Sequence, residues 1–175
     1  MRIANIEVPV GDSVSDETIA TALSYIDKSE IRVRSVSIDG QEYASLLSCH
    51  SPTYTKKPVE YISTSELAIS SAQVAHVVLE LLVASPSFPY KHLLDTRRLS
   101  ALRDNHEIYF LNWQVRFRRI SKRTEYVMNL TVDRVLTKRN SIFAQCSFRV
   151  GTAIRGSFTA LMPGENGGGE IDLHN

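Results

Sequence analysis

Only two of the 175 residues are cysteine, Cys49 and Cys146. That count excludes a disulfide framework, and the pair lacks the spacing of metal ligands. Net charge is also scarce: 20 basic and 19 acidic side chains leave a formal +1. So even a balance gives no overall electrostatic footprint for nucleic acid. A long unbroken apolar run is missing too. The stretch from Val74 to Ala84 is interrupted by His76 and Glu80, so it does not read as a membrane span. No charged-then-apolar leader opens the chain, and the expectation is a soluble, cytoplasmic protein. A Gly-rich phosphate loop, a nucleophile elbow and a His/Cys cluster are all absent from the sequence. The expectation is therefore no metal, no bound cofactor and no covalent mechanism with a strong candidate.

What is present is ordinary globular composition, 43% hydrophobic and 22% charged. It reads as one domain over 1–163, followed by a loose Gly-rich tail over 164–175. Residues 15–27 read as a short helix, with Ser15 or Asp16 as N-cap and acids in the first turn. IRVRSVS alternates in period two from Ile31, and Asp39-Gly40 supplies a hairpin turn before QEYASLLSC. Pro52 and Pro58 keep 51–61 a polar loop. Ser63-x-x-Glu66 has capping-box form and opens a long, mostly apolar helix over about 63–85, ending before Pro86. After a Pro- and Arg-containing excursion, with a short helix around Thr96–Arg103, the chain is strand-like. The runs are EIYFLNWQVRFRRI, EYVMNLTVDRVL, SIFAQCSFRV and AIRGSFTALM, the last following a turn at Gly151.

One apolar helix beside a long meander resembles the hot-dog fold, an α+β class in which a curved antiparallel sheet wraps a single helix. Ala72-Gln73 sits where the 3-hydroxyacyl-carrier-protein dehydratases of that superfamily end their helix motif. VRFRRI resembles their next strand, with Ile120 in place of proline. The departures bear on chemistry. The dehydratase carboxylate falls at Ile69, and the loop that supplies their histidine offers Tyr54 or Thr55. Dehydration by that mechanism therefore lacks both partners at the matched positions. The chain is similar also to the FcoT-like branch: Glu66-Leu67, Gln73-Val74-Ala75, a loop tyrosine matched by Tyr54, and Arg116-Phe117-Arg118 after a long excursion. Ser63 and Ala72 stand where that branch has asparagines. The resemblance implies a long-chain acyl thioesterase, or an enzyme adding glycine to a 2-enoyl chain on a carrier protein. It implies acyl-CoA or acyl carrier protein as partner, with the phosphopantetheine arm as part of the substrate.

Glu66, Ser70 and Gln73 fall at i, i+4 and i+7 and so share a helix face, which His76 and Glu80 extend. One reading is a solvated stripe on an amphipathic helix. The other is an acyl pocket at a subunit interface, with Glu66 as base and Gln73 orienting the thioester or the water. Ser63 and Ser70 then line the substrate site, and the helix start offers N–H groups to an oxyanion. Tyr54 is the expected catalytic phenol and Tyr61 a substrate contact, or both simply pack as loop tyrosines. His50 reads as an edge residue or a base, and His76 as a core or interface histidine. Arg116 and Arg118 share one strand face, with Arg119 on the other. They read as solvated, or as a docking surface for a phosphopantetheine phosphate or an acidic carrier, with Arg116 as a substrate contact. A single wrapped helix leaves a sheet edge and half a pocket, so a homodimer or a dimer of dimers is expected. The remaining alternative is a non-catalytic acyl-binding protein.

Overall fold

In a computed structural model, residues 13–39, 42–49, 62–119 and 125–164 are described. Ser15 caps α1 (Asp16–Ala22), its hydroxyl accepting from Thr18 N. The helix stops at Leu23, sooner than the sequence suggests. A 3-10 turn over Lys28–Glu30 then leads into β1 (Val33–Asp39), which pairs antiparallel with β2 (Glu42–Ser48). The central helix α2 spans Thr64–Ala84 with Ser63 as N-cap, within a residue of the expected limits. After α3 (Thr96–Asp104) come β3 (Tyr109–Phe117), β4 (Glu125–Lys138), β5 (Ser141–Val150) and β6 (Ile154–Met162).

Among the described residues, six strands form one antiparallel sheet in the order β1-β2-β4-β5-β6-β3, with β1 and β3 outermost. Inward and outward residues alternate most cleanly along β5, where Ile142, Ala144, Cys146, Phe148 and Val150 are buried. Gly151, at φ +51°, makes the turn into β6, a backbone position that suits glycine. Alternation along β1 does not run straight from Ile31. A register shift between Val33 and Ser35 changes the phase, so Val33, Val36 and Ile38 all face the core. Similar irregularities break β3 between Leu111 and Gln114 and β4 between Val132 and Arg134.

Helix α2 lies on the inner face, against β1, β2, β3 and β4 as well as α1 and α3. Its length and apolarity would suffice to cross a membrane, but 67% of that stretch is buried inside the fold. Being covered on most sides explains its sequence: Glu66 and Glu80 are its only charged residues. Leu67, Val74, Val77, Val78, Leu82 and Val83 pack with the sheet's inner residues into the core. One narrow face of its first half stays open, formed by Ser65, Ala68, Ile69 and Ala72, with Ile69 43% exposed.

Gly156 on β6 permits the close approach of β3 and the Phe148 ring, because a Cβ there would overlap that ring and the Gln114 carbonyl. Gly156→Ala should therefore lower stability by about 1–3 kcal/mol, measured by urea denaturation. An unchanged midpoint would show that β3 can move away at no cost.

Candidate functional site

The start of α2 is built by its cap. Ser63 Oγ accepts from Glu66 N at 3.1 Å, and Leu67 N donates to Ser63 O at 3.1 Å. That leaves the N–H groups of Thr64 and Ser65 without an intrahelical partner, as at any helix start. Ser63 is half-buried, in contact with Ser65 through their hydroxyls at 2.9 Å.

Glu66 is not the outer member of a solvated stripe. It is 4% exposed, and Ser70, Gln73 and His76 are buried with it. The solvated-stripe reading is thereby corrected: the sheet and the segment entering β1 cover this face, so its polar groups find partners in protein. Glu66 Oε1 lies 3.4 Å from Ser70 Oγ, which donates, and 3.7 Å from Arg32 Nε. Tyr126 OH donates to Ser70 Oγ at 2.8 Å. Burial pushes the Tyr126 phenol well above its ordinary range, with the Glu66 charge adding to the rise, so Tyr126 stays a neutral donor. Cys49 borders the same cluster, its thiol raised first by burial and then by Glu66, which makes it a poor nucleophile.

Gln73 reaches across to the chain before β1. Its Oε1 accepts from Arg32 N at 2.7 Å and its Nε2 donates to Glu30 O at 2.9 Å. Both ends of the amide thus clasp backbone, fixing the approach to β1 against α2. Arg32 is 6% exposed. Its Nη1 donates to Glu30 O and to Glu30 Oε2, the latter at 2.7 Å, while its own carbonyl accepts from Ser48 N and Oγ. Its Nε has no hydrogen-bond partner.

On the other flank of α2, Trp113 Nε1 donates to Ser71 Oγ at 3.2 Å and the indole stacks on Phe148. Asn112, at φ +53°, sits in the β3 irregularity that precedes it. Further along, the His76 ring packs on Tyr25 and Phe110 at centroid distances of 5.0 and 5.5 Å. Arg103 pairs with Glu80 at 2.7 Å. Burial first, and then the Arg103 charge, pull the His76 pKa from 6.5 to about 3, while burial lifts Tyr25 to about 12. His76 is therefore a neutral core histidine.

Of the residues the sequence singles out, the structure brings Glu66, Ser70 and Gln73 onto one buried flank beside the Ser63 cap. Arg116 lies elsewhere, exposed on the outer face of the sheet directly opposite Arg155, with Arg118 also exposed. Tyr54, Tyr61 and His50 lie outside the described residues. Two members of the cluster, Arg32 and Tyr126, escape the sequence reading. Each sits in a strand run where its neighbours already satisfy the alternation. Among the described residues, no group of three or more His, Cys, Asp or Glu side chains could hold a metal ion.

No family model matches the chain, and no curated protein matches it in sequence. Solved structures do. The dehydratase domain of RzxB from Pseudomonas fluorescens aligns at 9% identity and a TM-score of 0.51, over 91% of this chain and 53% of that one. A sigma28-regulated virulence protein from Campylobacter jejuni aligns at 9% identity and a TM-score of 0.45, covering 86% of this chain and 93% of the other. A phenylacetic acid degradation-related protein from Ralstonia eutropha JMP134, provisionally assigned as a thioesterase, gives 13% identity and a TM-score of 0.43, over 85% and 92%. At such identities the likeness is one of fold, and that fold is the hot-dog fold: a curved antiparallel sheet around one long helix.

Two outcomes test the flank's construction. Gln73→Met leaves the Arg32 N–H buried without an acceptor, and should cost about 1–3 kcal/mol of stability in urea denaturation. His76 binds a proton below pH 6.5 when unfolded but only near pH 3 when folded. Stability is therefore full above 6.5 and falls as the pH drops towards 3. His76→Leu should flatten that acid limb; an identical slope in both proteins would remove His76 as its source.

Proposed function

We propose that this hot-dog protein acts on a fatty acyl thioester, carried by an acyl carrier protein or coenzyme A, with hydrolysis as its reaction. The observation that supports this most is the placing of Glu66. A carboxylate 4% exposed, one turn inside a helix whose first N–H groups are free of intrahelical bonds, combines a base with an oxyanion donor set. In that reading Glu66 takes a proton from water, and the water oxygen attacks the thioester carbon. The developing oxyanion is received by the N–H groups of Thr64 and Ser65. The sulfur then leaves with the proton that Glu66 returns, giving a free acid and a thiol. Gln73 orders the flank rather than the substrate, and Ser70 links Glu66 to Tyr126. The open apolar face of Ala68, Ile69 and Ala72 runs on from the same turns and offers an acyl chain a surface of matching chemistry. Tyr54 and Tyr61 precede the helix in sequence and are the phenols assigned to the thioester end.

A second copy completes the site in this reading. β3 is a sheet edge carrying exposed Tyr109 and Phe117, the kind of edge a two-fold partner covers. The Arg116–Arg155 pair on the outer face is a place for the phosphate or acidic surface of the carrier, since like charges directly opposite across strands cost stability unless an anion joins them. Nothing in this scheme requires a metal or a resident cofactor, and we place the protein in the cytoplasm.

One observation favours a second reading, acyl binding without turnover. Gln73 is fully engaged with backbone, and Glu66 faces the Arg32 guanidinium, so both have structural employment. Incubation with medium- and long-chain acyl and 2-enoyl thioesters, with and without glycine, followed by mass spectrometry separates the cases. Free acid is the expected product, and Glu66→Gln should reduce its formation by about a hundredfold or more while the protein stays folded. A mass gain of one glycine on the enoyl substrate would move the assignment to conjugate addition at the same site. Binding without product across the panel would establish the second reading.

A further inference from the structure

The open strip on α2 does not run the length of the helix. Ser65, Ala68, Ile69 and Ala72 are exposed or half-exposed, whereas His76 and Leu79, next on the same line, are buried. Spacing places them there: His76 is i+4 from Ala72 and i+7 from Ile69, and Leu79 is i+7 from Ala72. The strip therefore ends in mid-helix, at the His76 imidazole. That ring packs against Tyr25 at a centroid distance of 5.0 Å and against Phe110 at 5.5 Å. The contacts continue inward. Phe110 meets Phe158 at 5.6 Å and Phe158 meets Phe148 at 6.3 Å, both of them buried in the core. Tyr25 in turn meets the His106 ring at 6.0 Å. Rings packed in this way do not part for an alkyl chain without repacking the core behind them.

We propose that Tyr25, His76 and Phe110 form a chain-length stop, and that the substrate's acyl group is medium-chain, of about eight to ten carbons. This rests on the acyl-thioester reading above and deepens it by setting the length the site accepts. The carbonyl sits at the N–H groups of Thr64 and Ser65, so the tail enters at one end of the strip. From Ser65 to Ala72 the helix advances about 10 Å. An extended alkyl chain, with bonds of about 1.5 Å at tetrahedral angles, advances about 1.25 Å per carbon. The open run thus seats about eight carbons beyond the carbonyl. A helical side chain leans towards the helix N-terminus, so the imidazole stands across the arriving tail. Each methylene up to that point leaves water for Ala68, Ile69 and Ala72, and each one beyond it stays in water and adds nothing. The long-chain substrate that the sequence resemblance implies is longer than this strip.

Calorimetry tests this with a series of acyl-CoA analogues in which methylene replaces sulfur, from butanoyl to hexadecanoyl. Affinity should rise about two- to fourfold per methylene up to octanoyl or decanoyl, and then level off. Ala72→Leu, a change on the half-exposed strip, should bring that break forward by about four carbons, one helical turn. Tyr25→Ala should let the rise continue past decanoyl. A rise that runs unbroken to hexadecanoyl in the unmodified protein would overturn the stop. So would a break unmoved by Ala72→Leu or by folded Tyr25→Ala, and Ala72→Leu decides by itself where Tyr25→Ala does not fold. Hydrolysis of the matching thioesters with no break in the series removes the stop and leaves the hydrolytic reading standing. A break with no hydrolysis keeps the stop and removes that reading. No binding at any length removes both.

Discussion

A helix enclosed by a sheet has little solvated surface on which to leave a polar side chain, and that constraint shapes everything on α2. Each polar group there must be answered by protein or carry a cost. Gln73 is answered twice by backbone, Glu80 by Arg103, and Ser71 by the indole of Trp113. His76 meets the constraint differently, remaining uncharged among aromatic rings. Glu66 is a buried carboxylate that keeps company with Ser70 and the Arg32 guanidinium.

The same enclosure divides the helix into two polar flanks. One flank, with Glu66, Ser70 and Gln73, faces the β1 approach and Tyr126. The other, with Ser71, faces the bulged edge strand and Trp113. Between them runs the open face of Ser65, Ala68, Ile69 and Ala72. Charge lies on one side of an apolar strip that begins at a helix N-terminus. An elongated ligand with a polar, electrophilic head and an apolar tail matches that order of surfaces. Ile69, the residue that the sequence resemblance aligns with the dehydratase carboxylate, falls on the strip itself.

Much of the architecture is legible in the sequence for reasons that can be named. The 21-residue helix declares itself through its Ser63 cap and its scarcity of charge, and β5 through clean alternation. The antiparallel pairing of β1 with β2 and the short helix near Thr96 follow from turn and cap residues. Less legible are the irregularities. The shift between Val33 and Ser35 changes the phase of β1, and no residue there announces it. Legibility also failed where partners are distant in sequence: Arg32 and Tyr126 reach Glu66 and Ser70 only because β1, β2 and β4 are neighbours. Spacing along α2 placed Glu66, Ser70 and Gln73 on one face, but it carried no information about whether that face was wet.

The central claim is that the first turns of α2 receive the head of an acyl thioester and the open strip its tail. A crystal structure with a non-hydrolysable acyl-CoA analogue, its sulfur replaced by methylene, tests it most directly. The account predicts the analogue's carbonyl at the N–H groups of Thr64 and Ser65, near Glu66, with the chain along Ala68, Ile69 and Ala72. An analogue bound on another surface, or none bound at all, would contradict it.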